Sequence, residues 1–157
     1  MACDADEDGD IDLFVAIRGE SQVVWYENDG SQNFEQFVIA DGADGAYAVI
    51  PADMDGDGDI DVVAANKYDD TIVWHENDGQ MSFAEHAIST SASGVRFINI
   101  ADIDQDYDLD IVGALAGDDE VVWFENACDN QVYAAAIDGR TSLWVNDVCT
   151  EGLKCLR

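Results

Sequence analysis

Fifteen aspartates occupy the odd positions of three nine-residue runs. They are Asp4, Asp6, Asp8, Asp10 and Asp12; Asp53, Asp55, Asp57, Asp59 and Asp61; and Asp102, Asp104, Asp106, Asp108 and Asp110. Carboxylates this close repel one another unless a cation sits among them. Hard oxygen ligands in such number suit calcium, which takes about six to eight oxygens at about 2.3–2.6 Å. Alternate residues of a short loop curl their side chains around one centre, and a glycine at the sixth position permits the tight turn. Gly9 and Gly58 hold that position, whereas the third run has Tyr107, where a positive φ is costly. The run at 53–61 is therefore the strongest expected site and the run at 102–110 the weakest. A solvated acidic turn, the bland alternative, does not account for a spacing that recurs.

The flanking residues say which kind of loop this is. An EF-hand loop carries a bidentate Glu at its twelfth position and is flanked by helices. Here the twelfth positions are Val15, Ala64 and Gly113, and the flanks are short and β-branched. The loops are thus expected to join strands.

The three runs lie 49 residues apart, and a second motif keeps the same offset: Val24-Trp25-Tyr26-Glu27-Asn28, Val73-Trp74-His75-Glu76-Asn77 and Val122-Trp123-Phe124-Glu125-Asn126. Two motifs sharing one period define nearly three copies of a structural unit. Each acidic run leads into a short apolar segment (Val15-Ala16-Ile17, Val62-Val63-Ala64, Ile111-Val112), then turn residues, then the Trp segment. Asn-Asp-Gly at 28–30 and 77–79 closes that segment as a turn. Further strands are expected at 34–39 and 83–88, and at 46–52 and 95–101 leading into the next loop. Four strands per unit of this length is the size of a β-propeller blade. The expected fold is all-β, with about three blades of four antiparallel strands in a partial or open propeller. The units read as 1–49 with its first strand missing, 50–98, and a partial 99–126. Residues 127–157 form a divergent segment that could be a further partial blade.

The run Asp53-Met54-Asp55-Gly56-Asp57-Gly58-Asp59-Ile60-Asp61, followed by Val62-Val63-Ala64-Ala65-Asn66, resembles the FG-GAP or VCBS repeat. The Trp-x-Glu-Asn-x-Gly element at 74–79 is similar to the bacterial-type version. The resemblance extends over about residues 1–126 and implies blades of a calcium-stabilised propeller, as in integrin α-chain heads and many secreted proteins. Carried over by position, it implies side-chain ligands at Asp4, Asp6, Asp8 and Asp12, with the carbonyl of Asp10. The matching sets are Asp53, Asp55, Asp57 and Asp61 with Asp59, and Asp102, Asp104, Asp106 and Asp110 with Asp108. Tyr107 departs from the pattern. Ser142-Leu143-Trp144-Val145-Asn146-Asp147, with Thr150-Glu151-Gly152, is faintly similar to a repeat of other secreted propeller-like proteins.

Composition narrows the partners. Six Lys and Arg against 35 Asp and Glu give a net charge of −29, which repels phosphate backbones and anionic lipid and speaks against nucleic acid. No apolar run of membrane-spanning length occurs, so no insertion into a membrane is expected. The apolar fraction of 48% fits a globular chain. The first residues lack the basic and apolar regions of a signal peptide. Cys3, Cys128, Cys149 and Cys155 allow three pairings, of which Cys149 with Cys155 is the nearest in sequence. Even cysteine number and weak calcium loops fit an extracellular or cell-surface setting.

Other residue sets are less informative. Trp25, Trp74 and Trp123 could stack on sugars, but behind paired β-branched residues they read better as core between blades. His75 and His86 have no partners at zinc spacing, and no nucleophile–base pattern is legible, so no enzyme is expected. The resulting expectation is a calcium-binding extracellular repeat module for recognition or adhesion, whose protein or glycan ligand the sequence does not name. A lectin-like propeller and a structural fragment of a larger secreted enzyme are the alternatives. Three blades cannot close a ring of about four to eight, which predicts self-association through open blade edges.

Overall fold

The computed structural model describes residues 1–127, 131–136 and 142–146. All regular structure in them is β-strand. The first sheet comprises β1 (Ala2–Cys3), β2 (Asp12–Ile17), β3 (Gln22–Asn28) and β4 (Phe34–Asp41). The second comprises β5 (Ala46–Ala52), β6 (Asp61–Asn66), β7 (Thr71–Asn77) and β8 (Phe83–Ser89). The third comprises β9 (Val95–Ala101), β10 (Asp110–Leu115), β11 (Glu120–Ala127), β12 (Gln131–Ala136) and β13 (Ser142–Asn146). Strands follow chain order within each sheet, and every neighbouring pair is antiparallel.

These are the expected four-strand units, with three differences. The first sheet does possess an opening strand, the two-residue β1, paired through Ala2 with Leu13 and Cys3 with Asp12. The unit boundaries drawn at 49/50 and 98/99 fall inside β5 and β9, because a period fixes the length of a repeat and not its phase. The segment after 126 adds β12 and β13 to the third sheet rather than opening a further one. The Cys149–Cys155 pairing lies outside the described residues; Cys3 is a half-buried free thiol.

The sheets stack face to face, β5 lying against both β2 and β9. Period-2 alternation supplies the reason: opposite residues of an antiparallel pair share a face. Phe14 pairs with Trp25, and both pack with Val62 and Ala64 of the second sheet. Val63 pairs with Trp74, on the other face of the second sheet, and packs with Ile111, Leu115, Val122 and Phe124 of the third. The second sheet is thus covered on both sides, and all six residues of β6 are buried. Trp25 stacks on Phe37 at 4.9 Å, and Trp74 takes His86 at 4.8 Å in the equivalent place. Trp25 and Trp74 are therefore core, as their strand positions suggested.

His75 is the polar exception in this packing. It occupies the position that Tyr26 and Phe124 hold in the neighbouring units, it is buried, and its Nε2 has no hydrogen-bond partner. Burial first, then His86, lowers its pKa to about 4. A depressed base contributes stability that is present above the unfolded value of about 6.5 and lost as pH falls toward 4. His75→Phe should therefore remove a loss of about 2 kcal/mol at pH 5 relative to neutral pH. Melting temperatures of parent and variant between pH 7.5 and 4.5 check this: the variant's advantage must grow as pH falls, and parallel curves would refute it.

Candidate metal centres

The three acidic loops repeat one hydrogen-bond pattern. The carboxylate at the first position folds back over the loop and accepts from the sixth-position N–H: Asp4 from Gly9 at 3.1 Å, Asp53 from Gly58 at 3.2 Å, Asp102 from Tyr107 at 3.2 Å. The third and fifth carboxylates each accept from the N–H two residues on, in Asx turns. These link Asp6 to Asp8, Asp8 to Asp10, Asp55 to Asp57, Asp57 to Asp59, Asp104 to Asp106 and Asp106 to Asp108. In the first two loops all three of these carboxylates converge.

The result is a close trio of carboxylates in each loop: Asp4, Asp6 and Asp8; Asp53, Asp55 and Asp57; Asp102, Asp104 and Asp110. One oxygen from each member lies within 4.8 Å of the others. Asp106 is absent from the third trio, in the loop where Tyr107 replaces glycine. Tyr107 sits at φ 81°, against 97° for Gly9 and 103° for Gly58, so the expected strained left-handed residue is present. The fourth loop position is left-handed too, at Gly56 and also at Glu7 and Gln105, whose residue types did not signal it.

Like charges and burial act on the trios together. Burial first, then the neighbouring Asp57 and Asp53, pushes the Asp55 pKa up to about 6. Burial also raises Asp6 and Asp104, with Asp12 and Asp8 adding to the first and Asp106 to the second. Asp4 and Asp102 each keep a buried Oδ1 with no hydrogen-bond partner. Buried acceptors without donors, beside two further carboxylates, fit a hard divalent cation, so the donor set passes the chemical test for calcium.

The ninth-position aspartates do something the sequence did not disclose. Asp12, Asp61 and Asp110 are fully buried. Oδ2 of each accepts from the second-position N–H of its own loop, at Ala5 (3.2 Å), Met54 (3.0 Å) and Ile103 (2.9 Å). Oδ1 of each accepts from the N–H at the end of the Trp strand, at Asn28 (2.8 Å), Asn77 (2.7 Å) and Asn126 (2.9 Å). Burial raises Asp110 and pushes Asp61 up to about 7, although the two donors pull the other way. The asparagine side chains complete the brace, donating to Ile11, Ile60 and Leu109 carbonyls at 3.1, 3.2 and 3.4 Å. A constant separation from Asp to Asn (12 to 28, 61 to 77 and 110 to 126) was the available signal. Asp10 and Asp59 lie instead against the Asn-Asp-Gly turns: a Cβ on Gly79 would come within 2.5 Å of Asp59 Oδ2.

Antiparallel sheets of four or five strands, stacked face to face and each carrying an acidic loop between its first two strands, define a propeller-type repeat protein. A family model described as an FG-GAP-like repeat matches residues 4–64 and 53–113, each match opening on the first aspartate of an acidic run, and the chain belongs to that family. No curated protein sequence matches it. Among solved structures it is similar to an Agrocybe aegerita lectin, described for its specific recognition of non-reducing terminal N-acetylglucosamine, with a TM-score of 0.61 and 20% identity. The likeness covers 89% of this chain and 38% of the lectin chain, and it concerns the fold.

Proposed function

We propose that this chain is a calcium-stabilised extracellular repeat module that recognises or adheres to a partner, and not a catalyst. The observation that carries the calcium reading is the threefold recurrence of a carboxylate trio held inward by backbone N–H groups. Calcium would be held by Asp4, Asp6 and Asp8, by Asp53, Asp55 and Asp57, and by Asp102, Asp104 and Asp110. Its chemistry there is to neutralise clustered charge and cross-link each loop. Asp12 and Asp61 brace their cages from behind. Sites of this kind in extracellular modules work at about 10⁻⁴–10⁻³ M calcium, which supports placement outside the cell.

Calorimetric titration with calcium is the direct test, with three ions per chain expected and the third bound most weakly. Asp57→Ala should weaken its site on the order of tenfold, equivalent to about 1.4 kcal/mol. Asp106→Ala should do less, because Asp106 stands outside its trio. Tyr107→Gly should tighten the third site by relieving the left-handed strain. Equal losses from the two Asp variants would refute the ranking, and no heat with calcium would refute the sites.

A glycan ligand is the second reading. Trp25 and Trp74 are buried and offer no platform, but Phe34 is exposed and lines a pocket with Glu27, Asp29, Asn33, Glu35 and Gln36. An aromatic face among polar acceptors suits a sugar ring. Binding to N-acetylglucosamine-terminated glycans that is lost in Phe34→Ala would favour this reading; no binding on a glycan array would favour a protein partner.

A further inference from the structure

Residues 1–127 hold three Lys or Arg, and two of them, Arg18 and Lys67, occupy the same position of successive repeats, 49 residues apart. Each directly follows the strand that leaves an acidic loop, β2 or β6. Both lie over one ring: the Arg18 guanidinium carbon is 5.0 Å and Lys67 Nζ 4.9 Å from the centre of Tyr68. At that range an aromatic ring attracts a cation. Arg18 also donates from Nη2 to the Tyr68 hydroxyl. The backbone fixes the ring in place. The Tyr68 N–H donates to the Asp44 carbonyl and the Lys67 N–H to the Gly45 carbonyl, each at 3.1 Å. A Cβ on Gly45 would come within 2.8 Å of the ring. The counterparts of Tyr68 are Gly19 and Gly117. A Cβ at Gly117 would meet Ser93 Oγ at 2.2 Å and the Ser93 carbonyl at 2.9 Å, so the next junction is closed to such a side chain.

The two charges are not neutralised locally. Among the described residues neither Arg18 nor Lys67 forms an ion pair; the pair present joins His86 to Glu76. The nearest carboxylates in this turn region serve other donors. Asp69 accepts from the Asp44 N–H at 2.8 Å, Asp70 from the Gly94 N–H at 2.6 Å, and Asp44 from the Ser21 hydroxyl at 3.5 Å. The acidic loops stand at the other ends of six-residue strands, about 20 Å away. That is more than two Debye lengths of about 8 Å at physiological ionic strength, so their field is screened at the two cations.

We propose that Arg18, Lys67 and Tyr68 form a carboxylate-binding site at the junction of the first and second sheets, and that its ligand is an acidic side chain of a protein partner. It rests on the recognition reading above and not on the calcium sites. Arg18 spends one N–H on the Tyr68 hydroxyl and keeps the rest of its fork, and Lys67 adds three donors. Charge-assisted bonds from such donors to a carboxylate are the strong ones. A ring set against Gly45 and two cations presents charge and not an open aromatic face, which disfavours stacking on a sugar. Densely charged polyanions are repelled by the net charge of −29, whereas a protein segment brings one or two carboxylates among neutral residues.

Amide NMR titration of the full chain, in calcium, with the acetylated and amidated peptide Gly-Glu-Gly-Asp-Gly tests this. Saturable shifts are expected at Arg18, Lys67 and Tyr68, with none there from the neutral peptide Gly-Gln-Gly-Asn-Gly. Arg18→Gln combined with Lys67→Gln should weaken binding on the order of tenfold while the remaining amide signals keep their dispersion. Where the double variant loses that dispersion, Arg18→Gln alone replaces it, since Arg18 is exposed. An oligogalacturonate, titrated in parallel, supplies carboxylates of sugar origin, and its tighter binding at the same amides would overturn the protein partner. The absence of saturable shifts, shifts confined to the acidic loops, shifts shared by the neutral peptide, or binding that survives the variant would overturn the site. None of these outcomes bears on the calcium titration or the glycan array, by which the broader reading stands or falls.

Discussion

In excess chelator the chain is expected to melt about 8–16 °C lower than in calcium at ten times the dissociation constant. An ion at that concentration adds about 1.4 kcal/mol per site, and three sites total about 4 kcal/mol. For a domain of this size about 1 kcal/mol moves the midpoint by about 2–4 °C. The difference must depend on pH, with a sign set by the raised carboxylates. Asp55 and Asp61 have folded pKa values of about 6 and about 7, above the ordinary value of 3.8. Between about pH 4 and 7 the folded chain without calcium binds more protons than the unfolded chain, so its stability falls as pH rises. Calcium at the trio competes with the Asp55 proton and gains affinity as that proton leaves. The gap between the two melting curves should therefore be small at pH 5 and wide at pH 8. Magnesium should close little of it, because it demands a tighter octahedron. Superimposed curves in calcium and chelator at pH 8 would remove the calcium reading.

The legible part of this molecule was the part written in residue types. Alternate aspartates located the loops, and two motifs on one period gave the repeat. The paired β-branched residues before Trp25 and Trp74 put those rings in the core. Phase was not legible: the turns at 42–45 and 90–94, where one sheet ends and the next begins, carry no signal stronger than the turns inside a sheet. The two-residue β1 is too short to have a pattern. The left-handed backbone at Glu7 and Gln105 was hidden because their side chains do not announce a positive φ, whereas Gly9 and Gly58 do. The role of the ninth aspartate was hidden for another reason. Five aspartates in alternation look chemically alike, and only the arrival of a second strand distinguishes Asp12 and Asp61, sealed in the core, from those that face the loop centre.

That distinction yields the largest single-residue effect expected here. Asp61 is fully buried and accepts from the backbone N–H groups of Met54 and Asn77. Replacing it with alanine leaves both donors without their acceptor in a site closed to water. Each such group costs about 1–3 kcal/mol, so Asp61→Ala should lose about 2–6 kcal/mol, a large share of the stability of an ordinary domain. Asp61→Asn should lose less, since its one carbonyl oxygen can still serve one donor while its amide opposes the other. The decisive comparison is with Asp57→Ala under both metal conditions. Asp57 belongs to the trio that would hold the ion, so its loss should destabilise in calcium and nearly vanish in chelator. Asp61 joins loop to strand through backbone bonds that need no ion, so its loss should persist in chelator at nearly full size. Denaturant titration of the parent and both variants, each in calcium and in chelator, measures this directly. If the Asp61→Ala penalty disappeared in chelator, Asp61 would be acting through calcium, and the brace of Asp61 with Asn77 would not be what ties the loop to the Trp strand.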